Sequence, residues 1–139
     1  MMGRTMSCDF GLARIGVALS DLSNTLATPH DTIRRTGDEY AEHTALISIA
    51  QEHEVDHIIA GIPTSLRGHP TAQAAEYAAE AERLSARSAI PVTCMDERFT
   101  TVIAQRQRTQ RAKKGRVDID AEAAAVLLQD FLDRTRQDR

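Results

Sequence analysis

The feature that most constrains the fold is a carboxylate inside the first strand-like segment. Asp9 lies in the largely apolar run Thr5–Phe10, and a second strand-like run, Arg14–Asp21, follows after a three-residue connection. Placing a carboxylate in the middle of a sheet costs free energy unless a cation or a hydrogen-bond donor pairs with it. We therefore interpret Asp9 as one ligand of an acidic metal site. The alternative is that Asp9 is a turn residue in front of Gly11.

The first third of the chain predicts three antiparallel strands. Ile15, Val17 and Leu19 alternate with small or polar residues, which is the pattern of a strand with one buried face. The short connection before this strand is typical of a hairpin. A third strand is expected from about Ala27 to Arg35, and Pro29 near its start favours an edge position.

The rest of the chain predicts alternating helices and strands. A helix is expected after the capping box of Thr36 and Glu39, with Thr36 as the N-cap. The later elements are a strand over 56–62, a helix over 71–88, a strand over 91–97, a helix from about Thr100, a basic loop, and a helix from Asp118 or Asp120 to about Arg134. This order predicts one α/β domain over residues 1–139. Its mixed five-stranded sheet has three antiparallel strands and then parallel strands, with helices on both faces, as in the ribonuclease H-like fold.

The charge distribution is more informative than the net charge of −3. Six basic residues and no acidic residue lie between Arg106 and Arg116, and they include both lysines of the chain, Lys113 and Lys114. A local basic segment on an acidic protein suits a phosphate backbone. A solvated loop has the same composition, so both interpretations remain open.

Cysteine content and hydropathy predict a cytoplasmic protein that does not bind membranes. Cys8 and Cys94 form neither a disulfide framework nor a zinc-ligand pattern, and both lie in strand-like runs where cysteine usually packs as a small apolar residue. No apolar run reaches the roughly 20 residues that a membrane-spanning helix needs. The first residues also lack the apolar region of a secretory signal.

Further carboxylates could complete a site with Asp9. In an extended strand Asp96 and Glu97 point to opposite faces, so only one of them can share the face of Asp9. Glu97 at the strand end pays the smaller desolvation penalty, but the pattern does not decide between them. Asp120 lies in register with the apolar stripe of the last helix, although an acidic residue there could equally be an N-cap.

Carboxylate oxygens from two strands and one helix are suited to Mg²⁺ or Mn²⁺. Such ions can activate a water molecule and stabilise a leaving oxygen during phosphodiester hydrolysis. The five histidines show no ligand spacing and are not assigned to the site.

Four segments, in order along nearly the whole chain, resemble motifs of the YqgF/RuvX family. They are Asp9–Asp21, Gly61–Pro63 with Gly68, Asp96–Thr101 and Asp120–Gln129. The family is described in two ways, as a candidate nuclease for the 5′ end of precursor small-subunit ribosomal RNA and as a candidate Holliday junction resolvase. The resemblance implies a ribonuclease H-like nuclease whose partner is nucleic acid.

The resemblance also implies roles for individual residues. Asp9, Glu97 and Asp120 become the catalytic metal ligands. Candidate nucleic-acid contacts are Arg14, Arg98, the loop residues Thr64, Ser65 and Arg67, and the basic residues Lys113, Lys114 and Arg116. Ala13 stands where the family usually has lysine, so one charge that could face phosphate is missing.

Two other functional classes remain open. The chain could be a non-catalytic RNA-binding factor in ribosome assembly, whose carboxylates are structural. It could also be a fragment of a sugar-kinase or actin-like phosphotransferase, whose ATP site begins with a similar Asp-x-Gly hairpin, although 139 residues leave no room for the second lobe. A resolvase is expected to be a two-fold dimer, whereas processing one RNA end needs only a monomer.

Overall fold

Five strands form one mixed sheet, and helices cover both of its faces. The computed structural model describes residues 3–62, 71–96 and 119–137. The elements are β1 (Arg4–Phe10), β2 (Arg14–Ser20), β3 (Ala27–Arg34), α1 (Glu39–Glu52), β4 (Val55–Ile62), α2 (Ala72–Ser88), β5 (Val92–Asp96) and α3 (Ile119–Gln137). No helix in these ranges is long and apolar enough to cross a membrane.

The strand order is β3-β2-β1-β4-β5, with β1 at the centre. β1 pairs antiparallel with β2, and β2 with β3, while β4 pairs parallel with both β1 and β5. This topology confirms the predicted arrangement of three antiparallel strands followed by parallel strands. Pro29 lies on the edge strand β3, next to a register shift opposite Val17 and Ala18, where its missing N–H is tolerated.

Alternate residues of β1 face different helices. Met6 and Cys8 belong to the core shared with α1 and α2, whereas Ser7 faces α3 and its hydroxyl donates to the carbonyl oxygen of Ala124 at 2.7 Å. Asp9 is two residues beyond Ser7, so its side chain lies on the α3 face. Opposite Ser7 on the two neighbouring strands, Ala18 and Ile59 pack against α3.

A glutamine near the middle of α3 fixes this helix to the start of β3. The side-chain oxygen of Gln129 accepts from the backbone N–H of Ala27, and its amide nitrogen donates to the carbonyl of Thr25, each at 2.9 Å. Together with Ser7, these contacts define where α3 lies along the sheet.

Two local predictions were wrong. Helix α1 begins after the N-cap Asp38, not Thr36, because the Glu42 carboxylate accepts from the backbone N–H groups of Thr36 and Gly37 and holds them outside the helix. Cys94 is exposed on the edge strand β5, whereas Cys8 is buried as expected. The helix predicted from about Thr100 and the basic loop lie outside the described residues.

Candidate active site

Asp9 lies near the end of the central strand, between two glycines on the adjacent strands. Its register partners are Gly16 on β2 and Gly61 on β4. The side chain is half-buried. Directly opposed residues in a sheet project from the same face, so glycine on both sides leaves the Asp9 carboxylate without bulky neighbours across the strands.

The place of the missing Gly16 side chain is taken by the first turn of α3. A Cβ atom added at Gly16 would overlap the backbone carbonyl of Asp120 and come within 3.1 Å of the nitrogen of Ala121. Because Gly16 is the register partner of Asp9, this close approach places the backbone of Asp120 against the strand residue opposite Asp9. A glycine of the sheet thus allows the start of α3 to approach closely.

Asp120 forms an ion pair with Arg14 at the start of β2. The guanidinium Nε donates to Oδ2 of Asp120 at 2.7 Å, and the two side chains are 54% and 31% exposed. Helix α3 begins at Ile119, so Asp120 lies in its first turn and is not the N-cap. A carboxylate there also benefits from the partial positive charge of the helix N-terminus.

Asp96, the last residue of β5, lies on the other face of the sheet. It borders an apolar pocket with Ile62 and Ala74, on the side of α2, while Met95 packs against the α3 cluster. Asp96 therefore does not share the face of Asp9. This observation supports the earlier preference for Glu97, which itself lies outside the described residues.

The other residues predicted for the site also lie outside the described part of the chain. They are Thr64, Ser65, Arg67, Arg98, Lys113, Lys114 and Arg116. The structure pairs Arg14 with Asp120 and packs the first turn of α3 on the glycine opposite Asp9, and the roles of all these residues remain predictions.

The donor set on the α3 face fits a divalent cation. Asp9 and Asp120 provide carboxylate oxygens, the ligands that Mg²⁺ and Mn²⁺ prefer. Both side chains are partly exposed, so an ion could keep water ligands. Mg²⁺ usually retains several waters and uses only one or two carboxylates.

A second acidic group lies on the opposite face, and sequence reasoning missed it. One ligand atom each from Glu39, His43 and Glu80 lies within 4.8 Å of the others. The i, i+4 spacing of Glu39 and His43 is visible in the sequence, but Glu80 is 37 residues farther along the chain and nothing in the pattern links it to them.

Arginines already neutralise this second group. Arg35 contacts Glu80 through two nitrogens at 2.8 and 3.0 Å and also pairs with Glu42 at 3.0 Å. Arg83 binds Glu39 through Nε and one terminal nitrogen, at 2.8–3.1 Å. We refer to these residues, with His43 and Arg87, as the arginine–glutamate network.

Hydrogen bonds define the state of the buried groups in this network. Arg87 donates to Nδ1 of His43 at 2.9 Å, so Nε2 carries the imidazole proton and donates to Glu80 at 2.8 Å. Burial alone would raise the pKa of Glu80, but hydrogen bonds from His43 and Arg35 and the charge of Arg35 lower it to about 2. Glu80 is therefore a structural carboxylate that stays ionised at neutral pH.

A metal ion in this network would lie among guanidinium groups and would have to displace them. Breaking buried, hydrogen-bonded ion pairs is costly. The network therefore has a structural role in linking α1, α2 and the end of β3. The carboxylates on the α3 face are more exposed and can be reached by an ion more easily.

Comparison with known proteins identifies the family. A family model described as "RuvX: Holliday junction resolvase" matches residues 3–134. The chain belongs to the RuvX family. A relative from Leifsonia xyli is 40% identical over 137 residues, which cover 96% of this chain and 88% of the relative. One from Mycobacterium tuberculosis is 43% identical over 136 residues, covering 94% and 79%. Both carry the name "Putative pre-16S rRNA nuclease".

Solved structures confirm the fold assignment. RuvC of T. thermophilus in complex with a Holliday junction substrate has a TM-score of 0.63 at 11% identity, over 98% of this chain and 97% of that one. A second Thermus thermophilus RuvC structure has a TM-score of 0.60 at 12% identity, over 96% of each chain. This RuvX chain therefore has a RuvC-like, ribonuclease H-like fold.

Proposed function

We propose that this chain is a divalent-metal-dependent nuclease that acts in the maturation of the 5′ end of precursor 16S ribosomal RNA. The observation that carries the proposal is the packing of the first turn of α3, with the backbone of Asp120, on Gly16, the residue opposite Asp9 on the neighbouring strand. Membership of the RuvX family supports phosphodiester hydrolysis as the reaction class, and a cytoplasmic location follows from an RNA-processing role.

The proposed roles rest on the family motifs and, for Asp9, Arg14 and Asp120, also on their places in the fold. Asp9 and Asp120 would hold Mg²⁺ or Mn²⁺, and Glu97, which follows β5 in the sequence, would be the third ligand. When bound, such an ion supplies an activated water and stabilises the charge on the leaving oxygen. Arg14 and Arg98 would contact the phosphate, since guanidinium groups match its oxygens in geometry and charge.

The proposed substrate is RNA because the curated relatives are named as pre-16S rRNA nucleases. The second candidate is a resolvase acting on branched DNA, which the description of the matching family model favours. A resolvase should act as a two-fold dimer, whereas a nuclease that trims one RNA end can act as a monomer.

Contacts away from the metal ligands would supply affinity for the backbone. We assign this role to Thr64, Ser65 and Arg67 after β4, and to Lys113, Lys114 and Arg116 before α3. Contacts to phosphate position a nucleic acid without reading its sequence. They are therefore expected to act on RNA of any sequence.

The test is cleavage by the purified protein in Mn²⁺ or Mg²⁺. The substrates are a mimic of the precursor 16S rRNA 5′ end, an unrelated single-stranded RNA and a four-way DNA junction. Cleavage of the precursor mimic supports the proposal, and paired symmetric nicks in the junction support the resolvase. Binding of RNA without cleavage of any substrate would favour a non-catalytic assembly factor.

A further inference from the structure

In the Arg14–Asp120 ion pair, an arginine of the protein binds the carboxylate that is proposed to bind a metal ion. The Nε–Oδ2 distance of 2.7 Å is that of a charge-assisted hydrogen bond. Arg14 also directly precedes Ile15, whose register partner on β1 is Phe10, next to Asp9. The guanidinium is thus anchored at the same end of the sheet as both aspartates.

We propose that Arg14 is an exchangeable counter-ion, occupying Asp120 in the metal-free protein and giving it up when a divalent ion binds. This inference rests on the proposed function, because it needs a metal site at Asp9 and Asp120. It goes further by giving Arg14 two successive partners. The released guanidinium lies beside the site, where it can bind a phosphate of the substrate.

The exposure of the pair makes such an exchange feasible. The Arg14 side chain is 54% exposed and Asp120 is 31% exposed, so water can solvate both groups while they separate. Exposed ion pairs of this kind contribute little to stability. The backbone of Asp120 packs on Gly16 independently of the ion pair, so loss of the pair leaves the start of α3 in place.

The arginine–glutamate network provides the contrast that makes the inference specific. Arg35 is largely buried, contacts two carboxylates and also donates to the carbonyl of Gly11. Removal of Arg35 would leave uncompensated buried charges, and no ion could easily take its place. Arg14, by contrast, is half-exposed and joins Asp120, a carboxylate of the proposed site, through the hydrogen bond from its Nε.

The direct test is Mn²⁺ affinity, measured by calorimetry or by the loss of the free-ion signal in electron paramagnetic resonance. Arg14→Gln removes the competing cation and is expected to tighten Mn²⁺ binding about three- to tenfold, through loss of competition and of repulsion. The matched control is Arg134→Gln. Arg134 pairs with Asp130 at 3.0 Å with the same exposures, 54% and 31%, farther along α3, and its replacement should leave affinity unchanged.

A second measurement observes Arg14 in the wild-type chain and does not depend on how any variant folds. The ¹⁵N–¹H signal of the Arg14 Nε–H group, assigned by its loss in Arg14→Gln, should shift on titration with diamagnetic Mg²⁺. The shift should saturate at the same Mg²⁺ concentration as metal binding measured by calorimetry.

The outcomes separate this inference from the proposed function. Tighter Mn²⁺ binding in Arg14→Gln alone, with a shifted Nε–H signal, supports the exchange. The exchange is overturned if Arg14→Gln binds Mn²⁺ equally or more weakly, if Arg134→Gln shows an equal gain in affinity, or if the Nε–H signal does not move. In each of these cases, Mn²⁺ binding by the wild-type protein would still support the metal site. If wild-type protein binds no Mn²⁺, both the metal site and the exchange are wrong.

Discussion

The two faces of the sheet neutralise their carboxylates in opposite ways. Under α1 and α2, Glu42 and Glu80 are buried and bind Arg35, a cation that is itself largely buried. Under α3, Asp120 is partly exposed and binds the half-exposed Arg14. Carboxylates with buried partners stabilise the fold, whereas a carboxylate with a solvated partner remains available to an ion.

The same comparison explains why the number of acidic groups does not locate the site. The α1/α2 face holds the larger described group, with Glu39, His43 and Glu80 within ligand range of one another. Its charges are already balanced by Arg35 and Arg83. The accessibility of the carboxylates therefore favours the α3 face over the more acidic one.

The largest expected effect comes from Asp9→Asn. Loss of a metal ligand removes several kcal/mol of transition-state stabilisation, so cleavage should fall at least about a thousandfold. The free energy of unfolding should change far less than the rate, because asparagine has the same shape as the half-buried aspartate. Rates measured in Mn²⁺, together with urea unfolding, check both parts.

Asp96→Asn is the matched control for Asp9→Asn. Asp96 is an acidic residue at a strand end on the opposite face, and its replacement should retain most of the activity. A loss in Asp96→Asn as large as in Asp9→Asn would show that the assignment of faces is wrong.

Gly16→Ala should have the next largest effect. The added methyl group overlaps the carbonyl of Asp120 and displaces the start of α3, and a misplacement of about 1 Å can cost about a hundredfold in rate. Overpacking should also lower the free energy of unfolding by about 1–3 kcal/mol. Cleavage kinetics and denaturant unfolding measure the two losses.

Ser7→Ala distinguishes displacement of Asp120 from general loosening of α3. It removes the hydrogen bond to Ala124, farther from the site, and should cost about 1 kcal/mol of stability with little loss of activity. Equal losses of activity in Ser7→Ala and Gly16→Ala would contradict a specific role for Gly16.

Glu80→Gln should have the reverse profile, with stability lost and catalysis retained. Removing one partner of a buried ionic network should lower the free energy of unfolding by about 3–5 kcal/mol. Glu76→Gln, on the same helix but 70% exposed, should change it by less than about 1 kcal/mol. Thermal and urea unfolding check the difference, and activity below the unfolding transition should survive in both variants.

The pH dependence of stability provides a second readout for Glu80. Its folded pKa of about 2 lies below the ordinary value of 4.5. The stabilisation is therefore complete above about pH 4.5 and is lost as the pH falls toward 2. Glu80→Gln should unfold with a shallower pH dependence across this window, and an unchanged slope would show that Glu80 is not held ionised.

The smallest expected effect concerns the basic segment. Replacing Lys113, Lys114 and Arg116 with alanine should weaken RNA binding similarly for all sequences. It should also reduce the slope of log affinity against log salt by about 2–3. Binding titrations at several salt concentrations test this. An unchanged slope would show that the basic segment does not contact the RNA backbone and is only solvated surface.

The sequence predicted the sheet because the pattern is local. Alternating apolar residues and the short Gly11–Ala13 connection are enough to specify β1 and β2 as a hairpin. Pro29 correctly indicated an edge strand, since a missing N–H is tolerated only there. The order of helices and strands then restricted the topology to few choices.

The arginine–glutamate network was not predictable because its members are far apart in sequence. Glu80 lies 45 residues from Arg35 and 37 from His43, and no periodic pattern connects them. The true N-cap was missed for a local reason, because the Glu42 carboxylate, six residues away, accepts from the N–H of Thr36 and keeps it outside the helix. The close packing of α3 on Gly16 also depends on a tertiary contact. The signal available in the sequence was that the β1–β2 hairpin places a glycine opposite Asp9.

The central claim is that the α3 face carries a metal-dependent nuclease site. It is tested most directly by cleavage of the precursor 16S rRNA 5′-end mimic in Mn²⁺, with wild-type protein and Asp9→Asn side by side. We predict cleavage by the wild type, its loss on chelation of the metal, and none by Asp9→Asn with equal RNA binding. Equal cleavage by both proteins, or cleavage that survives chelation, would contradict the claim.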